Sequence, residues 1–131
     1  VNYDNVNYTI VYNGELYNTN ELRDTLIEKG YTFNTKCDTE VALISYIEYG
    51  KDALKYLNGI FAFAIYNDKT NEIFLARDRL GIKPLFYFLN DNFLIFASEI
   101  KAILKHPVVK PVLDKTGIKE LFGLRTCTYT W

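Results

Sequence analysis

The stretch "IFAFAIYNDKTNEIFLARD", residues 60–78, constrains this chain more than any other. Its first half is almost continuously apolar and rich in aromatic and β-branched residues. Its second half resumes that character after the polar break Asp68-Lys69-Thr70-Asn71. Two such runs across a four-residue polar turn define an antiparallel hairpin. A run with no polar alternation is covered on both faces, so other elements must pack above and below it. A second pair of runs, "PLFYFL" and "FLIFAS" around Asn90-Asp91-Asn92, predicts a second hairpin.

The remaining segments supply the cover. "YTIVY", residues 8–12, reads as a strand. Asn18 or Thr19 starts a helix with Glu21 at a capping-box-like spacing; Leu22, Leu26 and Ile27 form its apolar stripe, and Gly30 ends it. "YTF", 31–33, predicts a short strand. Asp38 or Thr39 caps a second helix, running from about Glu40 to Tyr49 and apolar around much of its circumference. "DALKYLNG" predicts a short helix stopped by Gly59. Ser98 is expected to cap "EIKAILKH", and "DKTGIKELFGL" predicts a last helix. One strand, helices, two consecutive hairpins and closing helices make an α+β domain with antiparallel sheet.

Fifteen basic and sixteen acidic residues are mixed along the 131-residue chain, giving a formal net charge of −1. That balance gives no electrostatic reason to expect nucleic acid or an anionic membrane surface. No apolar run approaches the length of a membrane span. Two cysteines, Cys37 and Cys127, and one histidine, His106, form neither a disulfide framework nor a metal-ligand set, so no metal and a reducing compartment are expected. His106, just before Pro107, reads as a solvated loop residue.

Three stretches can carry chemistry. In "VYNGELYN", 11–18, Asn13-Gly14 is either a hairpin turn or a backbone position built to hold a ligand. A glycine N–H beside an asparagine amide supplies two donors, the requirement of an oxyanion hole, and Glu15 behind them can pair with an ammonium group. In "CDTE", Asp38 sits at a helix start, where it either caps free N–H groups or binds a cation; Glu40 is expected to face solvent or a structural partner. Cys37 at that helix start has the position of an activated thiol but no base near it in sequence. In "ARDRLGIKPLFY", the charges of Arg77, Asp78, Arg79 and Lys83 flank a turn marked by Gly81 and Pro84. Structural pairing is the favoured reading there over a phosphate site, since no glycine-rich loop opens a helix.

Taken in order, "YNGELYN", "CDTEV", "GIFAFAIYNDKTNEIFLARDRLGIKPLFY" and "FASEIKAIL" resemble the class II glutamine amidotransferases, over roughly residues 8–124. "NGELYN", "RDRLGIKPLFY" and "SEIKAIL" are most similar to the glutaminase domain of glutamine-hydrolysing asparagine synthetases. The resemblance implies a four-layer αββα N-terminal-nucleophile hydrolase sandwich, incomplete at the N-terminus, with residues 1–124 forming a partial amidotransferase domain and 125–131 an atypical tail. It implies an enzyme part that hydrolyses glutamine to glutamate and ammonia for ATP-dependent conversion of aspartate to asparagine. Asn13 and Gly14 match the family's oxyanion hole; Glu15 and Asp38 match the carboxylates that hold the α-amino end of glutamine. The family's nucleophile is an N-terminal cysteine whose own amine serves as base, and this chain opens with Val1, so the isolated chain is expected to be inactive. No cofactor is implied for this domain; ATP and magnesium belong to a synthetase domain of the same parent chain, which is the expected partner beside glutamine. A cytoplasmic setting follows, with a homodimer as a compatible assembly. The alternatives are a non-catalytic amino-acid-binding or regulatory module, and the glutaminase domain of another amidotransferase.

Overall fold

The computed structural model describes residues 1–3 and 5–123. The chain divides into two compact units, Val1–Phe86 and Tyr87–Trp131. In the first, strands β1 (Asn2–Tyr3), β2 (Val6–Leu16), β3 (Gly59–Asn67) and β4 (Glu72–Arg77) form one antiparallel sheet in the order β1-β2-β3-β4. Helices α1 (Thr19–Glu28) and α2 (Asp38–Tyr49) and a 3-10 helix (Gly50–Lys55) connect β2 to β3. In the second unit β5 (Phe86–Leu89) and β6 (Leu94–Ala97) form a two-stranded sheet, followed by α3 (Ile100–Leu104) and α4 (Lys115–Gly123). The expected α+β class with antiparallel sheets and both hairpins is present.

The apolar pattern explains the packing. Phe61 through Ile65, five consecutive residues of β3, are all buried, as a run without polar alternation requires. Phe61, Phe63 and Ile65 join Leu16 of β2, Ala76 of β4 and Ala42 and Leu43 of α2 in one core cluster. Helix α2 is apolar around its girth because it serves two cores: its Val41 and Ile44 pack with Leu22 and Leu26 of α1 and with Tyr31.

Several local expectations give way to longer-range bonds. Asn18 occupies the N-cap of α1 without a side-chain cap bond. Its amide instead donates to the Tyr56 carbonyl and accepts from the Asn58 N–H, at 2.9 and 3.0 Å, so no capping box forms. Residues 31–33 pair with no strand: Tyr31 is held by Glu48 through its hydroxyl and by stacking on Tyr3, and Arg23 lies over the Phe33 ring. Glu99, not Ser98, is the N-cap of α3, again without a side-chain cap bond. Strand β2 is far longer than "YTIVY", and it runs straight through Asn13-Gly14 into Leu16. Where a side chain does cap, it is Asp114, which accepts the N–H groups of Thr116 and Gly117 at the start of α4. The tail 125–131, with Cys127, lies outside the described residues.

The β2–β3 contact is tight at its lower end. Gly14 lies opposite Phe61, and Leu16 opposite Gly59. A Cβ on Gly14 would stand 2.4 Å from the Ile60 oxygen, and one on Gly59 would stand 2.2 Å from the Glu15 oxygen. Backbone atoms of a paired strand cannot swing away as a flexible side chain can, so both glycines are demanded by space. Gly59→Ala is expected to lower stability by about 1–3 kcal/mol, the usual cost of forced overpacking. Urea unfolding of the two proteins measures this, and an unchanged midpoint would contradict it.

Candidate active site

The site is built from one strand and one helix start. Asn13, Gly14 and Glu15 lie inside β2, paired with Ala62, Phe61 and Ile60 of β3. Asn13-Gly14 is therefore not a hairpin turn but part of a continuous strand. What the strand provides is direction. The Tyr17 N–H goes to the Asn58 carbonyl, on the side of β3. The Leu16 N–H goes the other way, to Asp38 Oδ2 at 3.1 Å. Backbone groups alternate along a strand, so the Gly14 N–H points to the same edge as that of Leu16. Phe61 agrees: its carbonyl accepts from the Asp78 N–H at 2.7 Å and its own N–H donates to Asp78 Oδ2 at 3.3 Å, so Gly14–Phe61 is a non-hydrogen-bonded pair. A Cβ here would run into the Ile60 oxygen and the Phe61 Cα, which is why a glycine is needed at this point. Among the described residues, β1 covers that edge of β2 only at Val6 and Asn7.

Asp38 is the first residue of α2, and Cys37 is the N-cap, so the expectation that Asp38 or Thr39 caps this helix is corrected. The Asp38 carboxylate reaches back to β2 instead. Its Oδ2 accepts both the Leu16 N–H and the Tyr12 hydroxyl, each at 3.1 Å. Burial pushes the Tyr12 hydroxyl pKa well above its ordinary value; the charge and hydrogen bond of Asp38 and the charge of Glu15 push it further. Tyr12 is thus a neutral donor with two carboxylates in its field. Glu15 is exposed and Asp38 half-buried. Of the four residues singled out in sequence, Asn13, Gly14 and Glu15 are consecutive in β2, and Asp38 is bonded to that strand at Tyr12 and Leu16; Tyr12 is the contact that sequence reasoning missed. Its signal was available: a half-buried tyrosine on the core-facing parity of a strand needs a partner for its hydroxyl.

The loop that delivers Asp38 is braced. The Glu40 carboxylate accepts the N–H groups of Asn34 and Thr35 and the Thr35 hydroxyl, at 2.9, 2.7 and 2.6 Å. Burial alone would raise its pKa, but these bonds outweigh burial and lower it. Arg23 donates to the carbonyls of Thr35 and Cys37. Glu40 therefore has the structural partner expected of it. Cys37 is exposed, and the Thr35 hydroxyl and the backbone N–H groups at the start of α2 lower its thiol pKa. The chain's histidine, His106, belongs to the other unit, where it is half-buried beside Phe93 rather than fully solvated.

In the charge cluster at 77–83, Asp78 and Arg77 bond to backbone groups rather than to each other. Asp78, only 7% exposed, accepts four backbone N–H groups, those of Phe61, Leu80, Ile82 and Lys83. Arg77 donates to the carbonyls of Gly81 and Lys83. A cleft of about 730 Å³ lies beside this turn, lined by Tyr17, Tyr56, Ile60, Arg79 and Leu80 among others, and none of Asn13, Gly14, Glu15 and Asp38 borders it. Among the described residues no group of three or more His, Cys, Asp or Glu side chains is arranged to hold a metal ion. No helix among them is long and apolar enough to cross a membrane.

Residues 1–130 match the glutamine amidotransferase domain, and the chain belongs to that family. It is 56% identical over 117 residues to asparagine synthetase [glutamine-hydrolyzing] 3 of Bacillus subtilis, covering 89% of this chain and 19% of that protein. It is 42% identical over 123 residues to a putative asparagine synthetase [glutamine-hydrolyzing] 2 of Methanocaldococcus jannaschii, covering 92% of this chain and 23% of that one. Among solved structures it is similar to glutamine phosphoribosylpyrophosphate amidotransferase of B. subtilis, complexed with ADP and GMP. That likeness has a TM-score of 0.66 and 29% identity, over 77% of this chain and 24% of that one. It is consistent with the N-terminal-nucleophile fold. The chain spans about a fifth of the length of the curated relatives it matches.

The Asp78 turn yields a pH prediction. Burial would raise the Asp78 pKa, but the N–H groups of Lys83, Ile82, Phe61 and Leu80 hold it below the usual range. Its folded value lies below the unfolded value of about 3.9. The stabilisation is therefore complete above that pH and is lost as pH falls through the folded value. Asp78→Asn is expected to cost about 2 kcal/mol at neutral pH. The gap to wild type should narrow below about pH 4. Urea midpoints across this range decide it; a gap that stays constant into strong acid would count against the assignment.

Proposed function

We propose that this chain is the glutamine-binding part of a glutamine-hydrolysing asparagine synthetase. The observation that carries the reading is the joining of Asp38 to β2 through Tyr12 and the Leu16 N–H, directly beside Glu15 and the edge-facing Gly14 N–H. In this reading Glu15 and Asp38 receive the α-ammonium of L-glutamine. The Gly14 N–H and the Asn13 side-chain amide donate to the oxygen of the side-chain carboxamide as it becomes an oxyanion. Donors fixed by a β-ladder need no reorganisation as that charge develops, which is the physical basis of oxyanion-hole catalysis. The products are glutamate and ammonia. The ammonia is delivered to aspartate activated with ATP and magnesium by a synthetase part of the same parent protein, in a cytoplasmic setting.

Catalysis also needs an attacking thiol. Cys37 has a lowered pKa but, among the described residues, no base placed against it, and it occupies the N-cap of α2. This favours a second, narrower reading of the 131-residue chain alone: it binds glutamine without turning it over.

Both readings predict that L-glutamine shifts amide resonances of β2 and the start of α2 in a millimolar titration. Asp38→Asn and Glu15→Gln should each weaken binding roughly tenfold or more, the usual consequence of removing one member of a charge pair. Unchanged affinity in both variants would refute the clamp. No glutamine-dependent ammonia release is expected from the purified chain, and release lost on Asn13→Ala would refute the narrower reading.

A further inference from the structure

Tyr12 ties Asp38 to β2, and its surroundings give that bond a more specific role. Its ring packs against Phe63 in the core with centroids 6.2 Å apart, which fixes the position of the hydroxyl. The hydroxyl and the Leu16 N–H reach one atom, Asp38 Oδ2, from two directions. Two donors on one oxygen set both the place of a carboxylate and the plane in which it lies, which a single bond does not. The other oxygen, Oδ1, is then held in a defined orientation. Asp38 begins a helix rather than ending a rotatable surface chain, so its backbone is anchored too. The charges of Asp38 and Glu15 both bear on the Tyr12 hydroxyl, which places that hydroxyl within the field of both proposed ammonium ligands.

We infer that Tyr12 is a positioning residue for recognition of the substrate α-ammonium: it holds Asp38 through Oδ2 so that Oδ1 meets the ammonium nitrogen. This rests on the clamp reading of Glu15 and Asp38 and deepens it. Tyr12 gives its hydroxyl proton to Asp38 in this arrangement. It therefore contributes selectivity for ligands bearing an α-amino group, and no bond to the carboxamide end.

The test compares two ligands, L-glutamine and 4-carbamoylbutanoate, the same molecule without its α-amino group. Affinities are measured by titration on wild type, Tyr12→Phe, Asp38→Asn and the double variant. Tyr12→Phe keeps the ring against Phe63 and removes only the hydroxyl, and thermal unfolding of each variant verifies that it is folded. The expected result is a loss of about threefold to tenfold for L-glutamine in Tyr12→Phe, the range for one hydrogen bond. The deaminated ligand should lose nothing, and Tyr12→Phe should add nothing in the Asp38→Asn background, since the bond acts only through Asp38. Equal loss for both ligands would make Tyr12 merely structural and overturn the inference. So would additive losses in the double variant, or no loss at all. If Asp38→Asn weakens L-glutamine and Tyr12→Phe does not, the clamp stands and the role of Tyr12 falls. If wild type binds no L-glutamine, the clamp reading fails and takes this inference with it.

Discussion

The Asp78 carboxylate organises the lower end of the sheet. By accepting the N–H of Phe61 and those of Leu80, Ile82 and Lys83, it closes the turn after β4 and at the same time occupies the backbone of β3. Phe61 is thereby satisfied on the β4 side, and the pair it makes with Gly14 carries no hydrogen bond. The backbones then approach closely enough to exclude a side chain at Gly14, and the Gly14 N–H is turned to the opposite edge of β2. A buried carboxylate of this kind is tolerated because each of its lone pairs has a fixed donor. A charge with no contact to the proposed ligand thus sets the direction of the donor that the ligand would use.

The second organising contact is Asp38 with Tyr12 and Leu16. It ties the start of α2 to the sheet, and the loop before it is held by Glu40 from one side and Arg23 from the other. Precision comes from rigid elements, a strand and a helix start, rather than from mobile loops.

Most of the fold was legible in the sequence because its hairpins rest on local patterns. "IFAFAIYN" and "EIFLARD" declare themselves by apolar continuity and a polar break, and both strands end within a residue or two of where those runs end. Two of the differences share one cause. Asn18, Asp38 and Ser98 all stand where short polar residues cap helices, yet the side chains of Asn18 and Asp38 bond to segments twenty to forty positions away. Local spacing contains no information about such partners. Asn13-Gly14 misled in the same way: the dipeptide that favours a turn sits mid-strand because the neighbouring strand demands a glycine there. The candidate site residues were proposed from the ordered motif set and not from any single motif. Tyr12 escaped because an aromatic residue in an apolar run reads as core, and its hydroxyl is the part that matters.

Placing an Asn-Gly pair inside a strand also bears on how this molecule ages. In mobile loops such pairs lose ammonia by cyclisation, as the glycine nitrogen swings onto the asparagine side-chain carbonyl to form a succinimide. Glycine permits that swing because nothing on its Cα hinders it. Here the register of β2 with β3 runs unbroken from Tyr8 to Leu16, and the extended backbone keeps the Gly14 nitrogen turned towards the sheet edge. The same rigidity that orients a donor therefore preserves the covalent integrity of the dipeptide supplying it. A copy of this chain that unfolds locally at β2 exposes its proposed site to irreversible chemical damage.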